Sequence, residues 1–224
     1  MKIFLINPNS DESMARMIQK AAADFAAGQY EVVCKSTPGA PRFIESYQDQ
    51  IRAGPGMLQL VRENEDQYDG FVVTCHYDPN LDAVKEITAR PVVGIGEASL
   101  RIASMLGHSF SLITTEDHSI ALHEELIRKY HLAEVMASVR APAAELAAFD
   151  EREKFLRTAR AALDEDRAEV IVLGCAGLSG LDKFLQTQLN VPVLDGVICG
   201  LFVAAGLVKY GVSTSKIRRY NPDY

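Results

Sequence analysis

The sequence predicts an α/β protein built from two pseudo-symmetric, Rossmann-like lobes with mostly parallel sheets. Three observations predict it. Short apolar runs of strand length alternate with stretches of helical periodicity along the whole chain, the pattern of repeated βα units. The runs are apolar throughout, as expected for strands covered by helices on both faces. The pattern also starts again partway along. Lys2-Ile-Phe-Leu-Ile-Asn matches Phe110-Ser-Leu-Ile-Thr-Thr, and Phe71-Val-Val-Thr-Cys75 matches Val170-Ile-Val-Leu-Gly-Cys175. Pro91-Val-Val-Gly-Ile-Gly matches Pro192-Val-Leu-Asp-Gly, each pair about 100 residues apart.

The elements follow in order. Residues 2–6 read as a strand and 7–13 as a polar turn. A helix then runs to about 27, with Ser10 as expected N-cap and Asp11 and Glu12 in a first turn that favours acids. Residues 31–36 are a second strand. Pro38, Gly39 and Pro41 make 37–42 a loop, and a helical stretch through 58–65 is expected to break near Gly54-Pro55-Gly56. Strand 71–74 ends at Cys75, followed by helix 81–88, strand 92–95 and helix 98–106.

The second half repeats this scheme. Strand 110–114, helix 118–131, strand 134–139 and a long helix 144–165 precede strand 170–174, which ends at Cys175. Helix 181–189, strand 191–194 and apolar helix 197–210 follow, and the tail 213–224 is polar and basic. The expected division is lobe one at 1–97 with 206–224, and lobe two at 98–205.

Composition narrows the function. The 224 residues are 48% hydrophobic, enough for a substantial core, and the net charge of −7 comes with no basic run. A nucleic-acid footprint is therefore not expected. No apolar stretch approaches the roughly 20 residues that span a bilayer. The first apolar run is about four residues and stops at Asn7-Pro8, too short for a secretory signal core of about 7–15. These features lead to an expectation of a cytoplasmic protein. There, Cys34, Cys75, Cys175 and Cys199 are expected as thiols, and no CxxC pair suggests a zinc or redox motif.

Two of these cysteines carry the chemistry. Cys75 and Cys175 stand at the carboxyl ends of equivalent strands, where α/β sheets bind ligands. If the lobes face one another, the thiols address a shared cleft from opposite sides. Inverting a carbon centre requires removing a proton from one face and returning one to the other, which a thiolate and a thiol do together. A free cysteine has a pKa of about 8.5, near enough to neutral for both roles. Backbone N–H groups after the strand end can tune the thiol and hold an oxygen that gains charge. Cys34, inside a strand, and Cys199, inside an apolar helix, lack this symmetry and read as structural.

At these residues the chain resembles a known family. The segments are Ile-Asn-Pro-Asn-Ser (Ile6–Ser10), Cys75-x-x-Asp-Pro, Gly-x-Gly-Glu-Ala (Gly94–Ala98) and Thr114-Thr115. With them go Leu-Gly-Cys-Ala-Gly (Leu173–Gly177), Asp195-Gly196 and Thr214-Ser215-Lys216. Together they resemble the hydantoin and allantoin racemase branch of the aspartate/glutamate racemase superfamily, over essentially the whole chain. The resemblance implies a two-lobed fold with the active site in the cleft, Cys75 and Cys175 as the acid–base pair, and no metal or organic cofactor. It also implies a homo-oligomer acting on a small-molecule substrate. Asn9, His76, Thr115, Ala176 and Gly177 are the expected substrate contacts.

Some positions depart from the branch. An aromatic residue usual after the first cysteine is His76 here, and a glycine usual after Asp-Pro is Asn80. A cysteine common in the Gly-x-Cys-Glu-Ala segment is Gly96. His76-Tyr77 and Ala176-Gly177 stand where amino-acid racemases of the superfamily tend to place Asn-Thr or Thr, so a ring carbonyl fits better than a free carboxylate. The expected activity is racemisation of a 5-substituted hydantoin or a related cyclic ureide such as allantoin. The alternatives are an aspartate/glutamate-type racemase, a maleate-isomerase-like enzyme, and a non-catalytic ligand-binding or thiol redox protein.

Other features read as structural. Gly94-x-Gly96-x-x-Ser99 lacks the third glycine of a dinucleotide fingerprint. Asp78-Pro79 is expected to set a turn and cap the next helix, and Glu97 to cap or pair. His108, His118, His123 and His131 show no metal-ligand spacing, and the run from Asp150 to Lys154 reads as a solvated helix face.

Overall fold

A computed structural model describes residues 1–221; residues 222–224 of the basic tail lie outside the described residues. The chain forms two compact units, one made of residues 1–95 with the chain from 200 onward, the other of 96–199. The sequence expectation had the crossings at 97/98 and 205/206.

Each unit holds a four-stranded, wholly parallel sheet. Unit one contains β1 (Lys2–Asn7), β2 (Glu31–Ser36), β3 (Gly70–Val73) and β4 (Val92–Gly94), in the order β2-β1-β3-β4. Unit two contains β5 (Phe110–Ile113), β6 (Met136–Arg140), β7 (Val170–Leu173) and β8 (Val193–Asp195), in the equivalent order β6-β5-β7-β8. The central strands are apolar on both faces because both faces are covered. Ile3 to Ile6, Phe71 to Val73 and Val170 to Val172 are all fully buried.

The helices are α1 (Glu12–Ala26), α2 (Tyr47–Asn64), α3 (Leu81–Ile87), α4 (Ile95–Leu106), α5 (Ser119–Lys129), α6 (Glu151–Asp164), α7 (Asp182–Leu189) and α8 (Gly196–Tyr210). Two of them carry the chain across. Helix α4 starts directly after β4, and its Leu100 and Ala103 join the unit-two core with Phe110, Leu112 and Ile127. Helix α8 starts in unit two, and from Gly200 onward it belongs to unit one. A side chain at Gly200 would meet Ile95 and Val72 at 2.9 and 3.0 Å, so glycine permits this close approach.

Some local expectations are corrected. The N-cap of α1 is Asp11, not Ser10: its carboxylate accepts the N–H groups of Ser13 at 2.8 Å and Met14 at 3.2 Å. Helix α2 runs unbroken through Pro55. Burial of Ala53, Met57, Leu60 and Val61 on one face holds the helix together across the missing N–H. The expected helix 144–165 is a 3₁₀ turn at Ala144–Ala148 followed by α6, which Asp150 caps by accepting the Glu153 N–H at 3.0 Å. The expected strand 134–139 begins as a 3₁₀ turn at Ala133–Val135 before β6. Among the described residues no helix is long and apolar enough to cross a membrane.

Candidate active site

In unit one the site residues gather at the carboxyl ends of β1 and β3. Val73 pairs with Ile6 on one side and Gly94 on the other. Thr74 extends this pairing: its N–H and hydroxyl both donate to the Ile6 carbonyl, at 2.9 and 3.0 Å. Cys75 follows, partly exposed and packed against the core of its unit. His76 beside it is 2% exposed. Asn9 lies in the loop after the neighbouring strand, where its Oδ1 accepts the Asn7 side-chain amide at 2.7 Å and the Asp11 N–H at 2.9 Å. The structure thus brings Asn9, Cys75 and His76 to one end of one sheet.

The turn after Cys75 is closed by the Asp78 N–H donating to the Cys75 carbonyl at 2.9 Å. Asp78 has φ +48°, in the left-handed region, and is 3% exposed. Its carboxylate lies against Gly94, where a Cβ would overlap it. Asp78 stands two residues ahead of the N-cap position of α3. The N-cap position is Asn80, which makes no side-chain cap bond and instead donates its amide to the Gln50 carbonyl of α2 at 2.6 Å.

In unit two the equivalent end of β5 and β7 holds Thr115, Cys175, Ala176 and Gly177. Leu173 pairs with Ile113 and Asp195. The Gly174 N–H donates to Ile113 at 2.8 Å, and a Cβ at Gly174 would lie 2.5 Å from Leu112 Cδ2. Cys175 is extended and enters a 3₁₀ turn at Ala176–Leu178, where its Sγ accepts the Gly177 N–H at 3.3 Å. Burial pushes the Cys175 thiol up, while the N–H groups of Gly177 and Leu178 pull it back down. Ala176 is buried, Gly177 is exposed and Thr115 is partly exposed.

Two buried side chains hold this loop, and the sequence reading assigned neither a role. His123 of α5 is fully buried, with ring nitrogens 2.9 Å from the Ser119 carbonyl oxygen and 3.1 Å from that of Gly174. Burial lowers its pKa to about 4, and the two carbonyls act in the opposite direction. The Asp195 carboxylate accepts from Ser179 Oγ at 2.5 Å and Gly180 N at 3.2 Å through one oxygen. Through the other it accepts from Val197 N at 2.8 Å and Ile198 N at 3.4 Å. An aspartate between a strand and a helix is a cap signal; its grip on the cysteine loop has no sequence signature.

The other two cysteine thiols are raised as well. Cys34 and Cys199 are both pushed up to about 12, by burial first and then by nearby acids, Glu12 for Cys34 and Asp195 for Cys199. Glu97 pairs with Arg101 at 3.9 Å. Among the described residues no three of His, Cys, Asp and Glu converge closely enough to hold a metal ion.

Comparison with known proteins adds to this geometry. Residues 3–203 match the Asp/Glu/Hydantoin racemase family. The chain is 35% identical to a hydantoin racemase of Pseudomonas sp. strain NS671, over 98% of this chain and 91% of the relative. An allantoin racemase structure from Klebsiella pneumoniae superposes with a TM-score of 0.92 at 32% identity, covering 98% of this chain and 92% of that one. A more distant structure, an aspartate racemase homologue from Pyrococcus horikoshii OT3, shares the fold with a TM-score of 0.70 at 15% identity, over 93% of this chain and 99% of that one.

Proposed function

The chain belongs to the Asp/Glu/Hydantoin racemase family, an isomerase family, and we propose that it racemises 5-substituted hydantoins or a related cyclic ureide such as allantoin. The observation that carries the proposal is positional. Cys75 and Cys175 each stand two residues beyond the last paired residue of the third strand in sheets of equivalent order and register. The relatives named for hydantoin and allantoin support the substrate class.

The proposed step moves two protons, one off the ring carbon and one onto it, and oxidises nothing. The thiolate of one cysteine takes the hydrogen from the ring carbon beside the carbonyl. The C–H electron pair becomes that of the enolate, whose oxygen carries the charge. The other cysteine, as a thiol, delivers its proton to the opposite face and is left as thiolate. The opposite enantiomer runs the same step with the roles exchanged, so each turnover leaves the pair ready for the reverse direction. N–H groups such as that of Gly177 supply the donors that lower a thiol pKa and stabilise developing negative charge. The reading assigns substrate contacts to Asn9, His76, Thr115, Ala176 and Gly177, uses no cofactor, and includes a cytoplasmic homo-oligomer.

Optical rotation of single-enantiomer 5-substituted hydantoins and of allantoin, followed with the purified protein, tests the substrate class. Decay of rotation well above the spontaneous rate is expected. No decay on any ring substrate, with racemisation of free aspartate or glutamate instead, would overturn the assignment in favour of an amino-acid racemase.

A further inference from the structure

The two cysteine loops share a device that the strand register makes visible. Gly94 and Asp195 occupy equivalent places, each opposite the last residue of the third strand, Val73 and Leu173 respectively. At both places a buried carboxylate sits where the cysteine loop meets the start of the following helix, but the two are supplied from opposite sides. In unit two the strand end supplies it, as Asp195, and the loop answers with the Ser179 hydroxyl and the Gly180 N–H. In unit one the loop supplies it, as Asp78, and the strand end answers with Gly94, which has no side chain to collide with it.

We infer that Asp78 and Asp195 are positioning residues, each fixing the loop that carries its unit's cysteine, which in unit two keeps the Gly177 N–H aimed at the Cys175 sulfur. Both are 3% exposed, and buried carboxylates persist where donors satisfy them. Asp195 divides its two oxygens between tasks, one capping α8 and one holding Ser179 and Gly180. Between Cys175 and that hold lies only the short turn whose Gly177 N–H points at the sulfur. Asp78 is three residues from its cysteine, in a left-handed conformation that non-glycine residues keep only when their surroundings enforce it. Its carboxylate lies against Gly94, where a residue with a Cβ would collide with it.

The inference rests on Cys75 and Cys175 being the reacting groups, and its test does not depend on turnover. The pH dependence of iodoacetamide alkylation is read separately for each cysteine by peptide mass in wild type, Asp195→Asn, Ser179→Ala and Asp78→Asn. An asparagine has one acceptor oxygen, so at 195 it can cap the helix or hold the loop but not both. Removing a negative charge near a thiol lowers its pKa, whereas losing aimed N–H groups raises it, so the sign separates the two effects. The expected result is a midpoint raised by about half a unit or more at Cys175 in Asp195→Asn and Ser179→Ala, with Cys75 unchanged. Asp78→Asn should do the reverse. A midpoint that is unchanged or lowered at the loop's own cysteine, or raised equally at both, would overturn the inference. If the profiles shift as stated while wild type racemises no ring substrate, the substrate reading fails and the positioning role stands.

Discussion

The imidazole of His123 lies 3.1 Å from the carbonyl oxygen of Gly174, the residue immediately before Cys175. A neutral imidazole carries one N–H, and here both ring nitrogens face carbonyl oxygens. The strand end that delivers the cysteine is therefore tied to a titratable group in the core of unit two.

That tie has a pH consequence. The folded pKa of His123 is lowered to about 4 by burial, below its ordinary 6.5. As pH falls, the unfolded chain takes up the proton first, so stability is full above about 6.5 and drains away toward pH 4. The loss is on the order of 3 kcal/mol in total. His123→Gln keeps an N–H donor and cannot titrate. Urea unfolding at several pH values between 7.5 and 4.5 should show a steeper loss for wild type than for the variant. Equal slopes would mean that His123 is not the titrating group.

Gly174 leaves no room for a side chain, whereas Gly206 of α8 has open space around its Cβ position. Gly174→Ala should destabilise by about 1–3 kcal/mol through overpacking against Leu112. Gly206→Ala should instead stabilise by about 0.5–1 kcal/mol, because alanine is the better helix former. Thermal melts of the two variants should move in opposite directions.

The four cysteines should sort by reactivity. Thiols held near 12 remain protonated and slow at pH 8, so Cys34 and Cys199 should resist iodoacetamide, whereas at Cys175 the N–H groups of Gly177 and Leu178 work against burial to favour the thiolate. Cys34→Ala and Cys199→Ala should leave any racemase activity within about twofold of wild type. Peptide mass spectra after brief alkylation, with initial rates for the two variants, check both statements.

At the end of β6, Arg140 grips Asp166 through two nitrogens, at 2.5 and 2.7 Å, and Ser138 donates to the same carboxylate at 2.6 Å. These donors, the guanidinium first, lower the Asp166 pKa from its usual 3.8. The stabilisation is present above pH 3.8 and is lost as pH falls through the lower folded value. Asp166→Asn should therefore destabilise by about 1–2 kcal/mol at neutral pH, with the difference from wild type shrinking in strong acid. A difference independent of pH would show that the ion pair is not its source.

Much of the fold was legible because the apolar strands are short, continuous and bounded by polar turns. Cys75 and Cys175 stood out for the same reason, since a repeat compared with itself marks equivalent strand ends. What stayed hidden was decided by tertiary contact. Pro55 reads as a break, yet the buried face of α2 carries the helix through it. Asp78 reads as a cap, and its carboxylate lies against Gly94, a neighbour made close only by strand pairing. His123 is one unremarkable histidine on a helix until β7 brings the Gly174 carbonyl beside it, a contact 51 residues away in sequence.

The most direct measurement is proton NMR of each enantiomer of a 5-substituted hydantoin in D₂O, with optical rotation followed in the same sample, for wild type, Cys75→Ser and Cys175→Ser. The spontaneous rate is subtracted. Two-thiol transfer predicts that wild type exchanges the ring hydrogen and racemises both enantiomers, and that neither variant racemises. Any residual exchange in a variant should be confined to one enantiomer and proceed with retention. Racemisation that survives in either variant at near wild-type rate would contradict the two-cysteine mechanism.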